Sequence, residues 1–401
     1  MFKKNHANLY RIASGAKMRI GFNFHTSDKY ISGVEYYSLG LLKALCQYEQ
    51  NNTYVVFANA PALVEKYVGR YENLIINNLC GLNTRLRRIA WEHTVLPVIL
   101  SREKIDLLHC PHYICPSWSL NIPYVVTIHD TIAIDNPQMC KVANAVYYNI
   151  FLRRTINKAN GIIVPSRYTA NSIRERFKSA MPKIEIIYSG IDTIFRHEPG
   201  RLAAKAIKDK YNLPDKYILY VGNIEPKKNL TNLLKTYETL KKKGIKHKLV
   251  LAGQRNWKSQ KLLDQIKSAH CDDVILTGYI EREDLPLVYA QADVFVFPSL
   301  VEGFGFGPLE AMRCGTPTAA SNIGILQELG QETFSILNPE NVEQMAESIW
   351  NLIANEKLRR RQIDNASAEV AKFNWQKCAR QTVLFYKRVY GTYHNRKVTI
   401  C

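Results

Sequence analysis

Residues 294–310 read VFVFPSLVEGFGFGPLE, an apolar strand followed by a turn with glycine at three alternate positions. Glycine lets the backbone approach a ligand closely, and Pro308 suits the first turn of a helix. The amides of Phe304, Gly305 and Phe306 are therefore predicted to point out of a helix N-terminus. Such a terminus is a natural site for a diphosphate.

A carboxylate stands on either side of this glycine-rich turn. Glu302 precedes the first glycine, and Glu310 lies about one turn into the predicted helix. Two acids beside an anion site are unusual unless each binds hydroxyl groups, a ribose on one side and a hexose on the other. The alternative is a glycine-rich turn with two solvated acids.

Short apolar strands recur along the chain, with helical segments between them. In the second half the predicted strands are 217–221, 248–252, 274–277, 294–297 and 316–320. In the first half they are 18–24, 54–58, 106–109, 124–128, 161–164 and 184–188. This alternation with short turns is typical of parallel α/β sheets. We therefore predict an α/β protein that uses the same architecture twice.

The strand-helix alternation lapses into a polar, charged stretch at 196–215 and then restarts. A domain boundary is expected there. We assign residues 1–17 to an N-terminal extension, 18–200 to a first Rossmann-like domain and 201–373 to a second. A long amphipathic helix is predicted over 374–390.

A second loop suited to phosphate chemistry follows the strand 217–221 and reads GNIEPKKNL over residues 222–230. Lys227 and Lys228 would lie at the entrance of the next helix and add two cations to the positive end of its dipole. Departure of a nucleoside diphosphate needs such charge neutralisation. The alternative is a solvated lysine pair, which is common.

The chain resembles the retaining glycosyltransferases of family four, which have the GT-B fold of two Rossmann-like domains with a cleft between them. The resemblance covers roughly residues 18–390, and its most specific part is EGFGFGPLEAMRCGTPTAASNIGILQEL, with the paired glutamates Glu302 and Glu310. It implies that Glu310 holds the ribose and Glu302 contacts the hydroxyls of the donor sugar. Segment 374–390 resembles the helix that crosses back to the first domain in these enzymes.

The resemblance also implies roles outside that motif. Lys228 matches the lysine of the family, while Lys227 replaces a second cation that many members carry where this chain has Asn223. Ile128-His129-Asp130 matches a His-Asp pair at a strand end, where an open α/β sheet faces its ligand. His129 is then a ligand of the donor sugar and Asp130 orients its ring, the alternative being a structural histidine.

The loops at other strand ends complete the predicted site. Gly33 corresponds to the family's glycine-rich loop beside the phosphates, although Ser32 stands where many members have a first glycine. Ser166 is expected to cap a helix. Gly253, Tyr279 and Ile280 lie in loops expected to form the wall of the base pocket. The predicted catalytic residues are Lys228, Glu302 and His129. The predicted donor-binding residues are Gly33, Asp130, Gly222, Asn223, Lys227, Gly253, Tyr279, Ile280, Phe304, Gly305, Phe306 and Glu310.

We predict no metal and no cofactor, the nucleotide sugar being a co-substrate. Residues 109–115 read HCPHYIC, but their spacing fits no zinc signature, and no Asp-x-Asp motif is present to hold a divalent cation on a diphosphate. Nine cysteines at irregular spacing in a chain of 401 residues favour reduced thiols in a cytosol.

The formal net charge of +19 favours polyanionic partners. Nucleic acid is not expected, because the charge forms no stripe and the phosphate-loop signature G-x-x-x-x-G-K-[ST] is missing. No apolar run suits a signal peptide or a membrane span. We predict a cytoplasmic protein, with peripheral attachment to an anionic membrane, the inner face of the plasma membrane, through a single helix over 85–100 that carries Arg85, Arg87, Arg88 and Trp91. The alternative is an ordinary core helix with a charged outer face.

The predicted reaction is transfer of a hexose from a GDP- or UDP-sugar to a saccharide or polyprenyl-linked acceptor. The sequence IEPKKN at 224–229 resembles the same segment in family members that use GDP-mannose, so mannose is the first choice for the sugar. A phosphorylase or an epimerase would share the phosphate site but needs a distinct catalytic acid or a cofactor lysine. A dinucleotide oxidoreductase is disfavoured because no G-x-G-x-x-G follows the first strand.

Overall fold

The computed structural model describes residues 17–26, 31–79, 84–115, 121–196, 201–268, 273–330 and 332–400. Nearly all of the predicted N-terminal extension lies outside these ranges. The described residues form two compact units, one running to Gly190 and resuming at Phe373, the other spanning Ile191–Lys372. The division falls before the predicted boundary region, since Phe195 packs its ring against Tyr289 of the second unit.

The first unit is built on a parallel sheet of seven strands in the order β3-β2-β1-β4-β5-β6-β7. Its strands are β1 (Arg19–Phe24), β2 (Thr53–Ala58), β3 (Leu74–Asn78), β4 (Leu107–Cys110), β5 (Tyr124–Thr127), β6 (Gly161–Val164) and β7 (Ile184–Ile186). The central strands are buried along almost their whole length, as parallel strands with both faces covered should be.

The helices of this unit are α1 (Gly33–Tyr48), α2 (Pro61–Val68), α3 (Arg85–Thr94), α4 (Leu96–Arg102), α5 (Ile132–Asp135), α6 (Val142–Lys158), α7 (Arg167–Arg176) and α15 (Trp375–Ile400), the last numbered by its place in the chain. The single helix predicted over 85–100 is wrong. It divides at Val95, because Pro97 has no N–H to donate to the preceding turn.

The second unit is built on a parallel sheet of six strands in the order β10-β9-β8-β11-β12-β13. Its strands are β8 (Tyr217–Val221), β9 (Lys248–Ala252), β10 (Val274–Gly278), β11 (Val294–Phe297), β12 (Thr318–Ser321) and β13 (Ser335–Leu337). Its helices are α8 (Arg201–Tyr211), α9 (Leu230–Lys242), α10 (Gln260–Ser268), α11 (Leu285–Ala290), α12 (Phe306–Arg313), α13 (Val342–Ala354) and α14 (Glu356–Val370). Two Rossmann-like sheets therefore confirm the predicted fold class.

Cys110 and Cys115 are joined by a buried disulfide with a Cα–Cα distance of 5.7 Å. The expectation of reduced thiols is wrong for this pair, because a tight turn after β4 brings the two side chains together. Elsewhere in the described ranges Cys46, Cys314 and Cys378 are buried free thiols.

Candidate functional site

Glycines end the neighbouring strands of the second sheet. Gly222, Gly253 and Gly278 have φ values of 153°, 146° and 73°, which favour glycine. A Cβ on Gly253 would lie 2.0 Å from the carbonyl oxygen of Gly222, so these two loops pass each other without room for a side chain. The carboxyl edge of the sheet is therefore lined by backbone. This is the edge at which open α/β sheets bind ligands.

The turn after β11 has the predicted form. Gly305 has a φ of 95° and α12 begins at Phe306, so the positive end of the helix dipole meets the glycine-rich turn. Phe304 is buried, its ring packs on Phe306 at 5.0 Å, and its carbonyl accepts a hydrogen bond from the Ile325 amide at 3.2 Å. The turn is thus tied to the core while its helix end remains suited to an anion.

Glu302 forms an ion pair with Lys228, so the structure brings two of the predicted catalytic residues together. Both side chains are largely buried, and the Lys228 ammonium also lies 5.0 Å from the ring centroid of Phe297. Burial raises the pKa of Glu302, but Lys228 and Lys227 lower it by more, so the net pKa lies below the ordinary value. Glu302 is held as a carboxylate beside an ammonium group.

Lys227 and Lys228 lie in a short 3₁₀ turn directly before α9. The Lys227 carbonyl accepts from the Leu300 amide at 2.8 Å, which joins this loop to the one after β11. The Lys227 ammonium lies 3.4 Å from Glu225. Asn223, in the same loop, accepts a hydrogen bond from the Tyr220 hydroxyl through its carbonyl oxygen at 3.0 Å. The side chain of Asn223 therefore plays no part in this contact.

Glu310 is buried at 3% exposure and has two partners that the sequence did not predict. Arg282 donates to one carboxylate oxygen at 2.9 Å, and the Tyr289 hydroxyl donates to the other at 3.2 Å. The Arg282 guanidinium also lies 4.7 Å from the ring centroid of Phe195. These contacts fix the carboxylate, and each of its oxygens keeps a lone pair for a further donor such as a ribose hydroxyl.

Tyr279 and Ile280 follow β10 and precede Arg282 in the chain, with Ile280 buried and Tyr279 half-buried. Arg282 could have been suspected only from its closeness in sequence to this predicted pocket wall. Tyr289, on α11, carried no signal. Burial raises the pKa of Tyr289 far above its ordinary value, and the Glu310 carboxylate adds to the effect, so its hydroxyl stays a donor.

In the first unit, His129 follows β5 and is buried. Its Nε2 lies 2.8 Å from the Pro111 carbonyl oxygen, so this nitrogen carries the proton and Nδ1 has the free lone pair. Burial lowers the pKa of His129 to about 4, against the opposite effects of Pro111 and Asp130. The ring is neutral at physiological pH and can accept a hydrogen bond from a hydroxyl.

Asp130 does not orient this ring as predicted. It accepts from the Tyr113 hydroxyl at 2.5 Å and from the Ile132 amide at 3.0 Å. The orienting group is the carbonyl of Pro111, within the disulfide-closed turn, and nothing in the sequence indicated it.

Gly33 is the first residue of α1, and the Glu35 carboxylate accepts from the Ser32 amide at 3.1 Å in a capping box. Gly33 therefore lies at the positive end of a helix dipole, in a different unit from the glycine-rich turn. The expected cap is confirmed at Ser166, whose hydroxyl accepts from the Thr169 amide at 3.2 Å.

Helix α3 packs its Trp91 against the core of the first unit, which supports the ordinary core helix over the membrane-facing one. His109, in the segment considered for zinc, is held instead by Tyr386 at 2.6 Å and Thr127 at 2.8 Å. None of the described helices is both long and apolar enough to cross a membrane.

Two Rossmann-like units, each built on a parallel sheet, place the chain in the class of GT-B folds. The family model for glycosyl transferases group 1 matches residues 204–369, and that for glycosyltransferase family 4 matches residues 31–195. Together they cover most of the chain, which belongs to this glycosyltransferase family.

Relatives of known name fall in the same class. The chain is 29% identical to O-antigen chain mannosyltransferase B of Escherichia coli over 75% of its own length and 77% of that protein. It is 29% identical to the serotype-specific mannosyltransferase WbdA of Escherichia coli over 67% of its own length, but spans only 34% of WbdA.

Solved structures share the fold at lower identity. Sucrose-phosphate synthase from Thermosynechococcus elongatus superposes with a TM-score of 0.76 at 20% identity, over 94% of this chain and 100% of that one. Anabaena HepE in complex with UDP and glucose gives a TM-score of 0.71 at 18% identity, over 91% of this chain and 98% of that one.

Proposed function

We propose that this glycosyltransferase is a retaining mannosyltransferase that uses GDP-mannose without a metal ion and extends a saccharide or lipid-linked acceptor in polysaccharide assembly. The observation that carries the proposal is the Lys228–Glu302 ion pair at the glycine-rich turn before α12. The resemblance to two mannosyltransferases of Escherichia coli supports mannose. A UDP-hexose is the alternative donor, since HepE binds UDP and glucose.

The ion pair suggests how the donor is received. A diphosphate at the N-terminus of α12 carries more negative charge than Glu302 and would draw the Lys228 ammonium towards itself. The carboxylate of Glu302 would then lose its partner and become free to bind the donor. That carboxylate accepts hydrogen bonds from the hydroxyls of the donor sugar, so phosphate binding prepares the sugar contact.

In the transfer step the bond from the anomeric carbon to the phosphate oxygen breaks while the acceptor oxygen bonds to the same carbon from the same face. The acceptor proton passes to the leaving phosphate oxygen, so configuration is retained without a protein nucleophile. Negative charge grows on the leaving diphosphate, and Lys228, Lys227 and the helix amides stabilise it. The two lysine ammonium groups supply the neutralisation that a divalent ion gives in other enzymes.

Ligand-induced stabilisation tests the donor assignment. GDP at about a hundred times its Kd should stabilise the protein by about 2.7 kcal/mol, a Tm rise of roughly 5–10 °C, and UDP and ADP should give less. Glu310→Gln should reduce the GDP response because it disturbs the ribose acceptor, whereas Glu340→Gln, at an exposed position, serves as the control. If no nucleoside diphosphate stabilises the wild type, the proposal fails.

The product distinguishes the rival enzymes on this fold. Incubation with GDP-mannose and a mannoside acceptor should release GDP and give an α-linked product, which NMR identifies by the one-bond carbon–proton coupling at the anomeric carbon. An epimerase would return a nucleotide sugar, and a phosphorylase would require inorganic phosphate.

We also propose that the enzyme works in the cytoplasm at an anionic membrane surface, held by one face of α6 rather than by α3. Val142, Val146 and Ile150 recur at every fourth position and are 80%, 55% and 47% exposed. The helix contains no acidic residue and carries the exposed Arg153 and Arg154 near its end. Apolar side chains flanked by arginines match an anionic interface.

A further inference from the structure

Phe195 lies at the start of the second unit, outside every motif predicted from the sequence. The chain enters this unit at Ile191, and Phe195 follows between β7 and α8, in neither a helix nor a strand. Its side chain is nevertheless fully buried, at 0% exposure. Loop side chains usually lie at the surface, so the burial of this ring indicates that it supports a neighbouring structure.

The ring of Phe195 contacts both side chains that hold Glu310. The Arg282 guanidinium lies 4.7 Å from the ring centroid, and the Tyr289 ring packs edge-on at a centroid distance of 6.0 Å. Arg282 and Tyr289 in turn donate to different oxygens of the Glu310 carboxylate. Phe195 therefore supports the predicted ribose ligand indirectly, through the partners of its carboxylate.

The backbone of Phe195 is tied to the helix that carries Glu310. Its carbonyl oxygen accepts a hydrogen bond from Arg313 Nε at 3.2 Å, and Arg313 is the last residue of α12, three positions after Glu310. This contact anchors the backbone of the loop. Close packing around the buried ring then keeps it beside the Arg282 guanidinium.

Arg282 needs such a support because its ion pair with Glu310 is shielded from water. The Arg282 side chain is 13% exposed and that of Glu310 is 5% exposed. A buried ion pair is stable only when its geometry is well fixed, and a cation beside an aromatic face is held more strongly where water is excluded. Without the Phe195 ring, Arg282 would gain other rotamers, and the carboxylate would lose the fixed direction in which it accepts hydroxyls.

We propose that Phe195 is a positioning residue for nucleotide binding, which acts through the Arg282 guanidinium to direct the Glu310 carboxylate towards the two hydroxyls of the ribose. The inference rests on the proposed function, because it takes the ligand to be a nucleoside diphosphate. It goes further by assigning the recognition of the ribose hydroxyls to a fully buried loop residue.

Phe195→Leu tests this role, because leucine remains apolar but offers no aromatic face to the guanidinium. Titration calorimetry compares GDP with 2′,3′-dideoxy-GDP, which lacks both ribose hydroxyls. The wild type should prefer GDP about tenfold to a hundredfold, as expected for hydrogen bonds to a charged acceptor. In Phe195→Leu the affinity for GDP should fall about tenfold, whereas that for dideoxy-GDP should change less than about twofold.

Phe334→Leu is the matched control for loss of a buried ring. Phe334 is also buried and directly precedes the edge strand β13, so it lies at the opposite end of the parallel sheet from the carboxyl edge. This substitution should lower the Tm but leave the preference for GDP intact. Phe195→Met, whose flexible side chain adapts to the same space, is the second variant if Phe195→Leu folds poorly.

A double-mutant cycle with Arg282→Lys tests whether Phe195 acts through the guanidinium. Lysine keeps the charge but loses the planar fork and its stacking on the ring. Arg282→Lys should itself weaken GDP binding, and adding Phe195→Leu should weaken it less than about twofold further. Losses that multiply in the double variant would overturn the positioning role, as would a preference for GDP that Phe195→Leu retains in full.

These measurements also separate the inference from the proposed donor. If UDP binds in place of GDP, UDP and 2′,3′-dideoxy-UDP should show the same loss of preference in Phe195→Leu. If the wild type binds neither GDP nor UDP, the proposed function fails and the inference fails with it. If the wild type binds GDP but does not distinguish it from dideoxy-GDP, the donor assignment stands and the role of Phe195 is contradicted.

Discussion

Glu302 and Glu310 belong to one short motif, yet the structure gives their carboxylates different partners. Glu302 pairs with the flexible ammonium of Lys228, whereas Glu310 is fixed by the Arg282 fork and the Tyr289 hydroxyl. A lysine can move to another anion by rotating its side chain, but an arginine stacked on Phe195 cannot do so easily. The first pair suits exchange during the reaction, and the second suits rigid binding.

Lys228→Ala should therefore slow the chemical step more than it weakens donor binding. The kcat should fall roughly a hundredfold or more, the usual effect of removing one group that stabilises transition-state charge. Lys227→Ala is the matched control. Its ammonium contacts Glu225 rather than Glu302, so its effect should be several times smaller. The kcat of each variant with GDP-mannose is compared with its affinity for GDP, which is measured separately. Equal losses in both variants would contradict a special role for Lys228.

The carboxyl of Glu92 should make stability depend on pH in an unusual direction. Burial raises its pKa to about 7, more than Arg88 and Asn23 lower it. The folded protein thus holds a proton that the unfolded chain releases, so stability is greatest below the ordinary carboxyl pKa and falls as the pH rises to about 7. Between about pH 4 and pH 8 the wild type should lose roughly 3 kcal/mol more than Glu92→Gln.

Urea unfolding of both proteins across this pH range measures the difference. Glu340→Gln removes an exposed acid and should leave the pH dependence of the wild type intact. If Glu92→Gln and the wild type lose stability in parallel, the buried carboxyl is already ionised in the folded protein.

The contacting residues that could not be predicted from the sequence were missed for one physical reason. Glu302, Lys228 and the glycines stand in local motifs whose chemistry can be interpreted from a few neighbouring residues. Arg282 and Pro111 act through partners 28 and 18 positions away, as in the Arg282–Glu310 and Pro111–His129 contacts. Only the packed sheet brings such pairs together.

At the scale of the element, strands with continuous apolar runs were predictable. YILYV, KLVLA and VFVF are strands at the predicted positions, because both faces of a parallel strand are covered. The missed strand β3 reads LIINN and is only half-buried at the edge of its sheet. The missed β13 has three residues. Helix α8 lies in the charged stretch 196–215, for which no helix was predicted. It was missed because its many polar residues hide the apolar periodicity.

The exposed face of α6 gives a prediction for an element. The double variant Val146→Asp/Ile150→Asp should weaken binding to vesicles that contain phosphatidylglycerol by about tenfold or more, because each aliphatic side chain contributes about 1.5–3 kcal/mol when buried. Neutral phosphatidylcholine vesicles should bind the wild type weakly. Flotation on a density gradient measures the bound fraction.

Leu384→Asp on α15 is the control for this experiment, since Leu384 is 50% exposed but lies outside α6. It should bind the anionic vesicles like the wild type. Equal loss in the control would mean that added negative charge alone explains the effect, and α6 would then have no special role.

At the scale of the whole molecule, the chain leaves the first unit at Gly190 and returns to it at Phe373. The returning helix α15 is part of the core of that unit. Its Trp375 ring lies so close to Gly40 and Gly190 that a Cβ on either glycine would approach it to 2.4 Å. The hydroxyl of Tyr386, further along α15, is hydrogen-bonded to Nδ1 of His109 on β4 at 2.6 Å. The first unit is thus completed only by the last segment of the chain.

Trp375→Ala should accordingly destabilise the first unit and spare the second. Removing a fully buried aromatic side chain costs about 3–5 kcal/mol. Trp375 is half-buried, so the cost should be smaller, and it falls on α1, the segment at Gly190 and the returning helix. Hydrogen exchange followed by mass spectrometry should show faster exchange in peptides of these elements, while peptides of β8–β11 keep their protection. Trp350→Ala on α13 is the reciprocal control and should raise exchange in the second unit alone. Because Glu302, Lys228 and Glu310 all belong to the second unit, Trp375→Ala should still be stabilised by GDP. If Trp375→Ala lost both its stabilisation by GDP and its protection from exchange in every element, the two units would fold as a single cooperative block.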